Sequence, residues 1–597
     1  MIHKQEKYGF ETFSHEADLC VVGGGLAGMF AAVSAARHGC RVLLMQDRPV
    51  LGGNASSEIR MWIRGAHGEN NRETGLLEEL ALENIYRNPR MNFSIWDSIL
   101  YEKVRFQENI ELLLNCSCCE AQMQKERILS VTGWQTTTQS WHRVTAKLFA
   151  DCSGDSVLAP LTGAEFRMGR EASSEFGEDI APLQSDEHTM GMSCLIQARE
   201  TAGPVSFIPP DWAYKLKKED FKNKIDFSSP VEWAQDNFWW LELGGMQDSI
   251  ADTEQLRDEL LKTAYGTWDF IKNSGEVQAD NWELEWLGML PGKRESRRYV
   301  GDYILSQQDV RSEGKFEDVV AYGGWTMDDH HPMGFATTEP PTVWHPAPSP
   351  FGIPYRCLYS RNIENLMFAG RNISATHTAL SSCRVMATCG LLGQALGTAA
   401  SIAIREGLSP RGVYEQAIPE LQQTLMLDDC FLPLHGREPA APLRRARLSA
   451  PSGNAELLRN GLDRPCGENE NCWEGEPDEE ILLDFGEETK ACALRLFLDS
   501  DLNRRSWGDR REYLRLFPMR CNLYLDEAPL TMPGTLLRSF AVYADSGSGQ
   551  WQKIFHTENN RRRLVVIPLS LPFTRLKIRP IASWGGERVR IFSVDVR

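Results

Sequence analysis

The sequence predicts an α/β protein in three parts: a domain built on a parallel sheet, an α+β insertion that interrupts it, and a C-terminal all-β sandwich. Three observations carry the prediction. Residues 18–47, DLCVVGGGLAGMFAAVSAARHGCRVLLMQD, run strand, glycine turn, helix, strand, and such a crossover joins parallel strands. From about 165 to 355 the chain turns aromatic-rich and Pro-punctuated, and more than half of its 17 tryptophans fall between Trp212 and Trp344. Beyond about 445 it becomes a series of short alternating runs separated by turn residues, the pattern of a sandwich.

The elements follow in order. Leu19 to Val22 is an apolar strand, and the Ala-rich run Leu26 to Arg37 is a helix closed by Gly39, where a left-handed residue is commonly needed. Val42 to Met45 is the second strand. The same texture returns at Asn365 to Ile404 as a short strand (LMFA), a glycine turn and a long small-residue helix beginning near Arg384, so the first domain is discontinuous. Pro439, Pro442 and the basic run RRAR at 444–447 mark a linker. The runs ILLDF, ALRLFL, CNLYL, RLVVIPL, RLKIRPI and RIFSVDV then supply the sandwich strands.

Composition excludes several classes. A chain of 597 residues with 42% apolar and 24% charged residues is neither disordered nor low-complexity, and is long enough for two to four domains. A formal charge of −18 repels a phosphate backbone, so nucleic acid is not expected as a partner. The first fifteen residues hold no signal-peptide apolar run, and no stretch reaches about 18 uninterrupted apolar residues; the expectation is a cytoplasmic chain with no membrane partner. The 15 cysteines are odd in number and scattered, which argues against a disulfide framework. Cys116, Cys118 and Cys119 read as buried thiols on a strand, since no second C-x-x-C or histidine pair follows. No metal is expected either, because the adjacent His330 and His331 cannot converge on one ion without a special turn.

Gly23, Gly25 and Gly28 form G-x-G-x-x-G directly after a strand and at the head of a helix. The first permits the tight turn, the second lets a pyrophosphate approach the backbone, and the third lets helix pack on strand. At the end of the second strand, where a ribose-binding acid usually stands, the chain has Gln46 followed by Asp47. To this point NAD and FAD fit equally. The run 48–57, RPVLGGNASS, resembles the L-G-G segment of glutathione-reductase-like and succinate-dehydrogenase-like FAD proteins. KLFADCSGD at 147–155 and the segment 365–401 match the same superfamily in the same order. In detail, LGGNASSEIRMWIRGAHG (51–68), GKRESRRYVGDYIL (292–305) and 365–401 resemble a bacterial family of FAD-dependent oxidoreductases associated with carbohydrate utilisation and often fused to a galactose-binding-like β-sandwich.

That resemblance implies a Rossmann-type FAD-binding domain at 15–165 and 355–438, an inserted substrate domain at 166–354 and the sandwich at 445–597. It implies FAD contacts from Gly52, Gly53, Asn54, Ser57, Gly154, Asp155, Gly370, Arg371, Gly390 and Gln394, in addition to the turn glycines, Gln46 and Asp47. Gly390, Gly393 and Gly397 on one helix each cost roughly 1 kcal/mol relative to Ala, so close approach to the cofactor or to the first helix must compensate.

Histidine titrates nearest working pH and supplies the candidate proton-transfer groups. His377, in the loop ISATHTALSS that leads back to the flavin, is the first choice and His67 the competitor, with Arg64 and Arg294 orienting the substrate. GKRESRRYVGDYIL alternates as a strand with Arg294 and Ser296 on one side and Arg297 on the other. The reading is hydride transfer from a sugar carbinol to flavin N5. Its alternatives are glycoside cleavage through transient oxidation and β-elimination, and a glycan-binding protein with structural FAD. A small-molecule or oligosaccharide substrate is expected, with homo-oligomer formation left open. Trp473 and Trp507 are candidate sugar contacts on the sandwich.

Overall fold

A computed structural model describes residues 5–7, 9–227, 237–504, 519 and 522–597. The chain divides into two units. One comprises Met1–Ala66, Met91–Leu421 and Phe517–Ala528, the other His67–Arg90, Gln422–Leu516 and Pro529–Arg597.

In the first unit, strand β1 (Phe10–Val22) runs through the glycine turn into helix α1 (Leu26–Arg37) and returns as β2 (Val42–Met45). Gly39 takes φ +88°, the left-handed closure its position called for. Strands β3 (Ile110–Leu113), β4 (Cys116–Gln124), β5 (Arg127–Gln135) and β6 (Ser140–Asp151) follow. The order is β3-β2-β1-β6-β5-β4, with β3, β2, β1 and β6 parallel and β6, β5 and β4 an antiparallel meander. Cys116 is buried in this meander, which pushes its thiol up to about 12, while Cys119 is exposed.

The insertion contributes helix α2 (Thr253–Asn273) over a core that includes Trp240 and Trp268, and a hairpin of β7 (Met327–His330) and β8 (Thr342–His345). The chain re-enters the sheet as β9 (Leu366–Phe368), parallel to the C-terminal end of β6 where the meander has peeled away. Helices α3 (His377–Cys383) and α4 (Met386–Glu406) close the unit. The sequence expected one helix from about Arg384 and His377 in a loop. Instead His377 opens α3, because Thr376 caps it by accepting from the Ala379 N–H at 3.2 Å.

Helix α4 is long and apolar enough to cross a membrane, yet nearly all of that window is buried inside the protein. It lies directly on α1: a Cβ at Gly393 would stand 2.1 Å from the Ala27 carbonyl oxygen, and one at Gly397 2.2 Å from that of Ala31. Contact between helix backbones is the compensation these glycines required.

The second unit is a two-sheet sandwich. Its strands are β10 (Arg447–Ser449), β11 (Trp473–Gly475), β12 (Ile481–Thr489), β13 (Ala493–Leu498), β14 (Leu537–Asp545), β15 (Gln552–Thr557), β16 (Leu564–Pro568), β17 (Phe573–Ser583) and β18 (Val589–Val596). They form sheets β10-β12-β17-β14-β15 and β11-β18-β13-β16. Alternation places Leu576 and Ile578 of β17 in the core, while Arg575, Lys577 and Arg579 lie between them on the other face. CNLYL is not a sandwich strand. Its described residues belong to the first unit, where the Asn522 side chain accepts from the Ala198 N–H and Leu523 exchanges backbone bonds with Ala198 and Glu200. Trp473 is fully buried in the sandwich core with its indole N–H on the Ser452 carbonyl at 2.9 Å, so it offers no face to a sugar. Trp507 lies outside the described residues.

Candidate active site

The glycine turn is built by three different constraints. Gly23 has φ +102°, and a Cβ there would lie 2.4 Å from the Cys152 carbonyl oxygen; at Gly28 it would lie 1.8 Å from that of Gly23. Gly25 differs. Its φ of −66° suits any residue, and its Cβ would meet nothing nearer than the Gly53 Cα at 4.0 Å. Neither backbone nor neighbours demand glycine here, so the demand comes from what occupies the space. That space lies at the head of α1, whose N-terminal N–H groups have no side-chain cap and carry the positive end of the helix dipole. Gly52 closes the far side by donating to the Gly24 carbonyl at 2.8 Å. Gly370, at φ +118°, passes within Cβ reach of Ala27 in the first turn of α1. A dinucleotide pyrophosphate fits this cradle. Gly25→Val is therefore expected to abolish FAD binding while the thermal midpoint of the apoprotein stays within about a degree of the parent. Flavin absorbance and a circular-dichroism melt check both halves.

Several anticipated cofactor contacts are committed elsewhere. The Gln46 side chain is buried, accepts from the Gly24 N–H at 2.7 Å and donates to the Val50 carbonyl at 3.1 Å, so it braces the turn rather than reaching for a ribose. Asp47 is exposed beside Arg48. Asn54 donates to the Lys293 carbonyl, and the Ser57 N–H donates to Asp97. Asp155 pairs with Arg371 at 2.6 Å and Lys293 at 2.8 Å; burial works against the charge, but these two cations hold its carboxyl well below the usual range. Gly154 lies under the same guanidinium. Gly390 abuts the Phe30 ring and serves the α1–α4 contact, and Gln394 is buried on the same helix.

His377 lies at the centre of a buried charge network. Its Nδ1 is 2.8 Å from Glu295 and its Nε2 3.1 Å from Asp329, while its backbone N–H donates to Glu171 at 2.8 Å. Burial alone would favour the neutral ring, but Glu295 and Asp329 outweigh it and carry the imidazole up to about 10. With a carboxylate at each ring nitrogen, the surroundings favour the doubly protonated imidazole over a free base. Behind it, Arg298 is fully buried and donates to Glu295 and to Glu171, the latter at 2.7 Å.

A second histidine unit adjoins the first. His330 Nδ1 is 2.6 Å from Glu242 and its Nε2 3.3 Å from Asp328. Asp328 in turn accepts from Thr342 at 2.6 Å and pairs with Arg384 at 3.3 Å. Asp328 and Asp329, successive on β7, face opposite ways and serve the two histidines separately. His331 points elsewhere, accepting from the Met333 N–H, and among the described residues no group of three or more His, Cys, Asp or Glu could hold a metal ion.

Arg294 is not on a strand face open to a ligand. Only Gly292–Lys293 and Arg298–Tyr299 of that segment pair as strands, and the Arg294 guanidinium is buried against Glu242 at 3.4 Å and the Trp239 carbonyl at 2.8 Å. Arg64 lies over the Trp62 and Trp325 rings at 4.9 and 5.4 Å, and its carbonyl accepts from Ala387 at the start of α4. Trp239 packs edgewise on His330 at 5.2 Å, and Trp344 beyond it is largely exposed. His67 is exposed and belongs to the second unit.

A family model described as FAD dependent oxidoreductase matches residues 18–425, about two thirds of the chain. No curated protein matches the chain. Similar solved structures include a family 32 carbohydrate-binding module from Clostridium perfringens in complex with GalNAc-β-1,3-galactose. It shares 11% identity over 26% of this chain and 96% of that one, at a TM-score of 0.18. The family 32 module of Streptococcus pneumoniae EndoD shares 12% over 26% and 94%, at 0.19. With a glycine cradle shaped for a pyrophosphate inside the matched segment, the chain belongs to the FAD-dependent oxidoreductase family, with FAD as its cofactor.

Proposed function

We propose that the chain oxidises a carbinol of a carbohydrate or glycoside, free or within an oligosaccharide. The observation that carries this reading is that one hairpin supplies Asp329 to His377 and Asp328 to His330, and that Trp239, in edgewise contact with Trp344, packs on His330 while the Trp325 indole N–H donates to Asp328. Aromatic faces take up the apolar C–H faces of a sugar ring, and charged side chains take up its hydroxyls. The turn from Gly23 to Gly28, with Gly52 and Gly53 opposite, would hold the FAD pyrophosphate. When bound, FAD supplies a two-electron acceptor. The chain's own contribution is to orient the substrate hydroxyl, exclude water and receive its proton. Arg64, stacked over Trp62 and Trp325 at the start of α4, is placed to hold a substrate oxygen. The network around His377 holds fixed charge at the reacting oxygen without reorganising.

Anaerobic addition of sugars and glycosides to the holoprotein tests the reading. A carbohydrate substrate should bleach the flavin absorbance. Bleaching by none of a broad panel removes the carbohydrate reading and leaves the family assignment intact. Product analysis without an external acceptor separates net oxidation from cleavage through transient oxidation and β-elimination: cleaved glycoside with no accumulated ketone would favour the second.

A further inference from the structure

We propose that Asp329, rather than His377, accepts the proton that leaves the substrate hydroxyl, with His377 as its positioning residue; this rests on the carbinol-oxidation reading above. Geometry separates the two residues. Each ring nitrogen of His377 faces a carboxylate, and its side chain is 5% exposed. A ring that donates from both nitrogens has no lone pair to offer. Asp329 is 22% exposed, the most open carboxylate of the network; the corresponding values are 0% for Glu295, 1% for Glu242, 4% for Glu171 and 12% for Asp328. Its Oδ1 accepts from His377, and among the described residues no hydrogen bond reaches Oδ2. The hairpin thus presents one uncommitted carboxylate oxygen, fixed through Oδ1 and backed by the chain His377, Glu295, Arg298 and Glu171.

The step balances as follows. The substrate O–H bond breaks and its proton goes to Asp329 Oδ2. The adjacent C–H bond breaks, and its hydrogen would leave together with the bonding electron pair, as hydride, to the two-electron acceptor that bound FAD would supply. A C=O bond forms, the substrate is oxidised by two electrons and Asp329 ends as a neutral carboxyl. The titratable and charged groups facing Asp329 are His377 from α3, Arg170 from the segment after Phe166–Arg167, and His330 along its own strand. Burial works against ionisation, but these groups hold the Asp329 carboxyl below its ordinary range. A weak base suffices here, because the hydroxyl becomes strongly acidic as the C–H electron pair leaves. Its advantage is that it stays ionised across the neutral range.

The test uses FAD-loaded protein and a carbohydrate that bleaches the parent. Asp329→Asn keeps the shape and the acceptor toward His377 but removes the base. It should slow flavin reduction by roughly 10²- to 10⁴-fold while FAD content and substrate affinity, read calorimetrically, stay at parental values. Asp329→Glu should recover part of the rate. The parent's reduction rate should be flat between about pH 6 and 9, since neither residue changes charge there. Reduction by Asp329→Asn within about threefold of the parent overturns the assignment. So does a parental rate that climbs tenfold per pH unit over that range, the signature of a neutral His377 acting as base. If Asp329→Asn loses substrate affinity as much as rate, Asp329 binds rather than takes the proton, and the assignment fails. If no carbohydrate bleaches the parent, the substrate reading falls and this assignment falls with it.

Discussion

Gly28→Ala is expected to yield a protein that purifies without FAD and melts well below the parent. The added methyl would stand 1.8 Å from the Gly23 carbonyl oxygen and 3.1 Å from the Cys152 Cβ. No rotamer can relieve a clash with backbone. Gly23 cannot retreat freely, since its N–H is bound to the Met45 carbonyl at 2.8 Å and the Cys152 N–H holds the neighbouring Val22 carbonyl at 2.7 Å. Helix α1 cannot retreat either, because Ala27 and Ala31 lie on the glycines of α4. Overpacking of this kind costs about 1–3 kcal/mol where side chains can adjust, and the upper end or more where only backbone can move. The comparison with Gly25→Val is what makes the experiment decisive. That substitution should remove FAD and spare the fold, whereas Gly28→Ala should damage both. Equal melting temperatures for Gly28→Ala and the parent would disprove the close helix–strand approach.

The same local clashes explain why this part of the fold can be read from sequence. A glycine turn between an apolar strand and a small-residue helix admits few backbone paths, and the observed helix Leu26–Arg37 and strand Val42–Met45 coincide with the expected bounds. Sandwich strands such as Ile481–Thr489 are equally legible, because one buried face, with Ile481, Leu483 and Phe485, imposes a period of two. Periodicity does not name a partner, however. CNLYL alternates like its neighbours, yet its described part pairs with Ala198–Glu200 in the other unit. The segment 292–305 alternates as well, but Arg294 is buried against Glu242 and Arg298 against Glu295 and Glu171, and only Gly292–Lys293 and Arg298–Tyr299 are strands. The break between α3 and α4 at Arg384 and Val385 carries no proline or glycine, and the signal that could have located α3 was Thr376 as a cap.

At the site, chain order pointed to His377 but not to the carboxylates at its two ring nitrogens. Its partners Glu295 and Asp329 come from separate segments, and an acidic residue met in sequence reads as solvated surface unless a partner is known. Asp328, Asp329 and His330 were visible as a cluster. Their alternation on one strand, which sends each aspartate to a different histidine, required the hairpin pairing of Met327–His345 through His330–Thr342. Gln46 misled for a related reason. Its position matches a ribose contact, but an amide can satisfy both a backbone donor and a backbone acceptor, and here it does.

Glu295→Leu should be the most destabilising single change in the network, and it should alter how stability depends on pH. Glu295 is fully buried and accepts from Arg298, from His377 and from the Met190 N–H at 3.0 Å. Removing one partner of a buried ion pair typically costs about 3–5 kcal/mol, because the charges left behind are desolvated and unpaired. Glu171 still holds Arg298 and Asp329 still holds His377, but each cation then has one carboxylate where it had two. The pH effect follows from His377. Its pKa is raised from about 6.5 in an unfolded chain to about 10 when folded, so its contribution is complete below about pH 6.5 and is lost as pH rises toward 10. Without Glu295 the folded value drops toward the ordinary one, and that loss shrinks. The parent should therefore lose more stability between pH 7 and about pH 9.5 than Glu295→Leu does, although the variant starts lower. Glu295→Gln, which keeps the size and loses the charge, should show the flattened pH response with a smaller loss at pH 7. Denaturant midpoints of all three proteins at several pH values measure this, and parallel curves for the parent and Glu295→Leu would mean that His377 does not carry its proton in the folded protein.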